Sequence, residues 1–119
     1  VYPAIAFLSL AIWFCYWLNL YLTIMAFNIA DKVTPLNSLI VFTIASLGVL
    51  VPTPGSVGGY HLFLSQALMK TSGINQELAL AVATVQHFIC FVLVPCIPAV
   101  ICFGIQSMAK KKAEEAQAK

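Results

Sequence analysis

Three apolar stretches separated by short polar connectors set the pattern of this sequence. Residues 1–30 contain no charged side chain, and residues 77–108 are apolar after Glu77 at their start. About twenty apolar residues are enough to cross the hydrocarbon core of a bilayer as a helix. The first and last stretches therefore predict two transmembrane helices. In the last one, Pro95 and Pro98 predict a kink.

The middle stretch is interrupted by the decamer Pro52–His61, whose two prolines and three glycines exclude a continuous helix. Its flanks, residues 36–51 and 59–69, would form helices of about 24 Å and about 16 Å, both shorter than the roughly 30 Å hydrocarbon core. We expect a helical hairpin that enters the membrane and returns to the same side. The predicted fold is an all-α integral membrane protein in which two transmembrane helices flank this re-entrant hairpin.

The connectors carry signals for helix ends. Pro35 suits the first position of a helix, Gly73 suits a C-cap and Asn75 suits an N-cap. Asn19 and Asn28 are polar intrusions in the first apolar stretch, and we interpret them as interhelical hydrogen-bonding residues rather than ligands.

Composition supports membrane insertion, and we expect no nucleic acid among the partners. The chain has 119 residues, 61% hydrophobic and 8% charged, and its net charge of +2 resides in the polar tail, residues 110–119. The triple lysine Lys110–Lys112 places this tail in the cytoplasm by the positive-inside rule, with the N-terminus on the same side and the decamer reached from the other. Val1 begins inside an apolar run, so the chain reads as part of a longer one. The four cysteines read as small buried apolar residues.

The decamer is the candidate binding site. Unpaired amides at the start of the outgoing helix attract anions, and in a membrane the natural anion is a lipid phosphate. The predicted lipid-binding residues are Thr53, Gly55, Ser56, Gly58, Gly59, Tyr60 and His61. The alternative is a purely structural hairpin, in which the glycines let two backbones touch and Ser56 caps its own helix.

Ionisable residues inside a membrane are functional candidates, and His61 and His87 are both of this kind. Gln66 and Gln86 could extend a polar relay with them, although a histidine bonded to a backbone carbonyl is the simpler interpretation for His87. A metal site needs three or four ligands, and the sequence offers no buried carboxylate to join the two histidines. It also shows no nucleophile paired with a base, no carboxylate pair and no phosphate-binding lysine loop. We therefore expect a protein that is not an enzyme and uses neither metal nor cofactor.

The segment from Ala45 to His61, together with Gly73 and a helix carrying His87, resembles the transmembrane region of lysylphosphatidylglycerol synthases and related flippase-like proteins. The resemblance covers residues 45–104, and its most specific part is the motif P-x-P-G-x-x-G. It implies a bacterial inner (cell) membrane, the C-terminal part of a larger transmembrane region, contact with other transmembrane helices, and a role in moving phospholipid between leaflets. Nothing in the sequence resembles the soluble synthase domain.

Three functions follow as hypotheses. The first is a flippase-like membrane protein that binds or translocates phospholipid through the decamer. The second is a small hydrophobic accessory subunit of a larger membrane complex, respiratory or photosynthetic, because small and aromatic residues also suit helix packing. The third is a proton or solute carrier that uses His61 and His87, with transport that depends on pH.

Overall fold

The computed structural model describes the backbone of residues 2–117 and the side chains of residues 2–111. Val1 and the last two residues of the predicted tail lie outside this range. The described chain is helical, in the order α1 (Tyr2–Ala26), α2 (Pro35–Gly48), a 3-10 turn (Pro54–Ser56), α3 (Val57–Ser72), α4 (Gln76–Phe88), a π-helical turn (Ile89–Leu93) and α5 (Val94–Gln117).

Helix α1 ends earlier than the apolar pattern predicted, at Ala26 rather than at residue 30. Asn28 adopts a left-handed conformation (φ 55°), and its amide donates to the carbonyl of Met25 at 2.9 Å. The next amide, that of Ile29, reaches back to the carbonyl of Ile24 at 3.3 Å. This pair of bonds is a Schellman motif, which closes the helix with Asn28 in the place often taken by glycine. Asn28 is thus a helix stop and not an interhelical contact.

The other helix ends follow the predicted capping signals. Thr34 accepts a hydrogen bond from the third residue of α2, whose first residue is Pro35. Gly73 ends α3 in a left-handed conformation (φ 62°), and Asn75 begins α4 by accepting from the amide of Leu78 at 3.0 Å. These local interactions satisfy backbone groups that the helices leave unpaired at their ends.

Helices α2 and α3 form a hairpin whose closest approach is between two glycines. A Cβ atom on Gly48 would lie 2.6 Å from the carbonyl oxygen of Gly59, and a Cβ on Gly59 would collide with the carbonyl of Gly48. The hairpin packs against α4 and the C-terminal half of α1. The largest apolar side chains buried there are Leu20, Ile24, Val33, Val41, Leu64, Leu68 and Val82.

Two continuous helical segments are long and apolar enough to cross a membrane. One is Tyr2–Ala26, and the other, Gln76–Lys111, joins α4, the π-helical turn and α5 over 36 residues. A π-helical turn lies just before Pro95, whose nitrogen has no hydrogen to donate to an α-helical hydrogen bond. The kink expected from the two prolines stays a prediction. Pro98 lies inside α5. The N-terminal half of α1, apart from the half-buried Ala11, is exposed, and so is the whole described part of α5.

Candidate functional site

The break between α2 and α3 is a tight loop with two consecutive left-handed residues. Gly55 has φ 62° and Ser56 has φ 57°, a conformation that is unfavourable for a residue with a side chain. The amide of Ser56 donates to the carbonyl of Thr53 at 2.9 Å. Ser56 does not cap α3 with its side chain, contrary to the structural alternative derived from the sequence. The hydroxyl oxygen of Thr53 is buried, and no group within the described residues forms a hydrogen bond with it.

A histidine from α4 reaches this loop. Nε2 of His87 lies 2.9 Å from the carbonyl oxygen of Gly55, and Nδ1 of His61 bonds the carbonyl of Val57 in its own helix. Because a carbonyl only accepts, each imidazole donates through the nitrogen named. Within the described residues, the other nitrogen of each ring forms no hydrogen bond. The two ring centroids are 4.9 Å apart, so α3 and α4 bring together two residues that are 26 positions apart in sequence.

Two aromatic rings complete this cluster. His87 stacks on Phe91 with a centroid distance of 4.5 Å, and the buried Tyr60 contacts both rings, at 5.7 Å and 5.4 Å. Phe91 belongs to the π-helical turn and was not predicted as a site residue. In a sequence where aromatic residues are frequent, nothing marked it before the helices were placed. The cluster therefore joins the break to the irregular part of the last transmembrane segment.

The predicted glycines have three different roles. Gly55 supplies the left-handed turn, and Gly59 is buried against Gly48 of the neighbouring helix. Gly58 is exposed, and a Cβ there would lie 3.3 Å from Cγ2 of Thr53. The structural alternative, in which glycines let two backbones touch, therefore applies to Gly59. Gly55 and Gly58 line the loop itself.

Gln86 connects α4 to α1. Its side chain is 1% exposed, its Nε2 donates to Oδ1 of Asn19 at 2.9 Å, and its Oε1 accepts from the hydroxyl of Thr23 at 2.6 Å. Cys90 approaches the same amide through its sulfur, at 3.1 Å. The prediction that Asn19 is an interhelical residue is confirmed. Thr23 and Cys90 were missed, because neither residue type is unusual in a transmembrane helix.

Gln66 does not join the polar face predicted for it. It is exposed, whereas His61 is half-buried against α4. Five residues along an α-helix correspond to a rotation of about 140° beyond one full turn. Gln66 consequently lies on a different side of α3 from the cluster. A relay that runs from His61 through Gln66 is therefore not present in this arrangement.

A cavity of about 370 Å³ opens beside the aromatic cluster. Its lining comes from α1, α2, α3, α4 and the segment that follows α4: Trp13, Tyr16, Phe42, Ser46, Val49, Leu50, Tyr60, Gln86, Cys90, Phe91 and Pro95. The lining is mainly apolar, with polar atoms from side chains such as Ser46, Tyr60 and Gln86.

The histidine pair has no further metal ligand nearby: within the described part of the chain, no three histidine, cysteine, aspartate or glutamate side chains are grouped as a metal site would require. The available chemistry at the break is that of hydrogen bonds, from hydroxyl, imidazole and backbone groups.

The helices and the site define an integral membrane protein of the all-α class, with an interrupted helical hairpin packed between two membrane-spanning segments. The chain belongs to the lysylphosphatidylglycerol synthase TM region family, whose model matches residues 2–97. The match includes α1, which the sequence resemblance had not covered, and ends inside α5. No curated protein and no solved structure matches the chain.

Proposed function

We propose that this chain is a non-enzymatic, lipid-handling part of a flippase-like protein, and that it binds a phospholipid at the break between α2 and α3. In this proposal the phosphate lies at the break and an acyl chain lies in the adjacent cavity of about 370 Å³. The observation that carries it is this cavity, whose lining is mainly apolar and includes Tyr60 of the decamer together with Val49 and Leu50, which precede the break.

The proposal places the break inside the membrane. Helices α2 and α3 have 14 and 16 residues, or about 21 Å and about 24 Å, which is less than the roughly 30 Å hydrocarbon core. The two flanking segments are longer than this core, at 25 and 36 residues. A re-entrant hairpin of these lengths turns at membrane depth, where irregular backbone is tolerated when protein or a polar cavity covers it.

At that depth the break offers several donors for one phosphate. The hydroxyls of Thr53 and Ser56 form no side-chain hydrogen bond within the described residues, and His61 and His87 each keep one ring nitrogen available. The N-terminus of α3 adds the positive end of its dipole. The orientation that accompanies this proposal puts the tail in the cytoplasm of a bacterial cell, with the connectors at Asp31 and Gly73 on the opposite side.

The experiment is to fill the cavity and measure bound phospholipid. Ser46→Phe introduces a ring into the lining, and Thr43→Phe introduces the same ring on the exposed side of the same helix. Both wild-type side chains donate to a carbonyl of their own helix, at 2.7 Å and 2.9 Å, so the two variants lose equivalent hydrogen bonds. Phospholipid per chain is measured by native mass spectrometry after washing in detergent and adding back phosphatidylglycerol.

We expect Ser46→Phe to lose most of the bound phosphatidylglycerol and Thr43→Phe to retain it. Equal binding by the two variants would refute the cavity as the lipid site. Binding that is lost in both, with both proteins folded by circular dichroism, would also count against it. Reconstituted scrambling of fluorescent phosphatidylglycerol in vesicles then tests whether binding leads to movement between leaflets.

A further inference from the structure

The two histidines at the break have already used the single N–H of their neutral form. Their ring centroids lie 4.9 Å apart. One nitrogen of His61 donates to the carbonyl of Val57, and one nitrogen of His87 donates to the carbonyl of Gly55. A neutral imidazole has one N–H, so the second nitrogen of each ring carries only a lone pair. When neutral, the pair therefore offers a ligand two acceptors and no donor.

An ionised phosphodiester does not fit this neutral pair, because its oxygens only accept hydrogen bonds and the free ring nitrogens only accept as well. Protonation adds a second N–H to a ring and leaves its bond to the backbone carbonyl in place. The protonated ring then donates to the phosphate and also supplies an opposite charge. Hydrogen bonds between such charged groups are roughly twice as strong as those between neutral groups. Phosphate and proton should thus bind to the pair together.

The charged side chains of the surrounding elements lie far from the pair. On α3 and α4 they are Lys70 and Glu77, about 14 Å along the helix from His61 and about 15 Å from His87. Residues 31 and 32 precede α2, whose length of about 21 Å separates them from the break. Helix α2 and the loop that follows it contain no titratable side chain. No neighbouring carboxylate is therefore placed to balance a proton on the pair, and a bound anion takes that part.

The uncharged titratable neighbours do not respond in the pH range of histidine. Tyr60 contacts the rings of His61 and His87, at 6.4 Å and 5.7 Å, and Cys90 and Tyr16 line the same cavity as Tyr60. Phenols and thiols gain no charge as the pH falls from about 8 to about 5, whereas histidine does. The chain has two histidines. Among the described side chains near the break, the charge in this range therefore changes through these two rings.

Two rings this close hold one proton more readily than two. Positive charges about 5 Å apart repel each other, and an unbalanced charge in apolar surroundings is costly. A phosphodiester brings one negative charge, which balances one imidazolium. His87 stacks on Phe91 with a centroid distance of 4.5 Å, and the face of an aromatic ring attracts a cation. The favoured balance is one proton for each bound phosphate.

We infer that His61 and His87 form a proton-linked phosphate site, in which a bound headgroup is accompanied by one proton held on one imidazole or the other. The proton comes from water, forms an N–H bond at the free nitrogen of that ring, and returns to water when the headgroup leaves. This inference rests on the proposed function, since it assumes the phosphate at the break. It adds regulation to that function: affinity for an anionic headgroup rises as the pH falls.

The test measures proton uptake when the full chain, in detergent, binds short-chain phosphatidylglycerol, by calorimetry in buffers of different ionisation enthalpy. We expect a maximum of about one proton per lipid between about pH 5 and pH 8, and an affinity that rises by up to about tenfold per pH unit as the pH falls. His61→Gln and His87→Gln should each still take up as much as one proton, because either ring can hold it. The double variant should take up none, since glutamine keeps an N–H for the backbone carbonyl and does not titrate. Short-chain diacylglycerol, which lacks the phosphate, is the control ligand and should cause no uptake.

A second measurement uses unaltered protein and does not depend on the variants folding. At about pH 7, phosphatidylglycerol should move the histidine signals in nuclear magnetic resonance spectra towards the protonated form, and diacylglycerol should not.

The outcomes separate this inference from the proposed function. Uptake near zero, uptake that persists in the double variant, or equal uptake with diacylglycerol would overturn the inference while phosphatidylglycerol binding, and with it the proposed function, stands. Wild-type uptake equal to the sum of the two single variants would show two independent histidines and overturn the single proton. Wild-type protein that binds no phosphatidylglycerol at any pH would refute both.

Discussion

His87 donates a hydrogen bond from Nε2 to the carbonyl oxygen of Gly55, at 2.9 Å, across 32 residues of sequence. The acceptor, Gly55, is the first of two consecutive residues with a left-handed backbone conformation. One side chain of α4 therefore holds the segment whose backbone conformation is the least favourable. Local backbone strain of this kind persists where surrounding contacts maintain it. The position of the break thus depends on the last transmembrane segment as well as on its own prolines and glycines.

Removal of this contact should loosen the loop. His87→Ala deletes the bond to Gly55 and the stacking on Phe91. We therefore expect the free energy of local opening of the break to fall by about 1 kcal/mol. Hydrogen exchange of a peptide spanning residues 52–58 should accelerate about fivefold. His61→Ala leaves the bond between His87 and Gly55 in place, so it should accelerate this exchange less than His87→Ala does. A loop that exchanges equally in wild type and His87→Ala would show that the histidine does not hold it.

The contact between Gly48 and Gly59 predicts that a larger side chain at this point destabilises the protein strongly. Gly59→Ala places a methyl group against the carbonyl of Gly48, and overpacking of this type destabilises by about 1–3 kcal/mol. The free energy of unfolding in detergent should fall by that amount. Gly104→Ala is the matched control on α5, where a Cβ meets no atom within 4 Å. It should be neutral or stabilising by up to about 1 kcal/mol, since alanine favours a helix interior. Equal stability of both variants would contradict the close packing.

Ser56 separates the effect of backbone conformation from that of the hydroxyl. Its φ of 57° suits glycine, so Ser56→Gly should raise the free energy of unfolding by about 1 kcal/mol. If the hydroxyl binds phosphate, the same variant should bind phosphatidylglycerol several-fold more weakly despite its greater stability. Chemical unfolding and lipid titration of one preparation measure both quantities. A variant that is more stable and binds lipid normally would remove Ser56 from the proposed site.

The capping signals illustrate how far local chemistry could be predicted. Pro35, Gly73 and Asn75 lie where the sequence placed them, because a cap involves neighbours only a few residues away. Asn28 was misread for a related reason. An asparagine in an apolar run suits either an interhelical hydrogen bond or a left-handed helix end, and the prediction of an interhelical hydrogen bond was wrong. The Schellman bonds of Met25 and Ile24 distinguish the two.

The candidate site was predicted in part. The break itself is encoded locally by its prolines and glycines, and His61 and His87 were recognised as unusual residues in apolar surroundings. Which residues they meet was not accessible: Gln86 bonds Asn19 across 67 residues, and Gln66 lies away from the cluster.

By itself, then, the sequence determined the helical class, the membrane location, the break and most helix ends, since hydrophobicity, missing amide donors and capping act over short distances. Only the tertiary structure decided that Gly59 packs on Gly48, that His87 reaches Gly55, and that Gln86 bonds Asn19. The physical reason is that these helices are apolar on nearly every side. Because such helices have no amphipathic stripe, the sequence pattern does not show which face of each helix packs against its neighbours. Which faces pack together depends on shape and on a few buried hydrogen bonds.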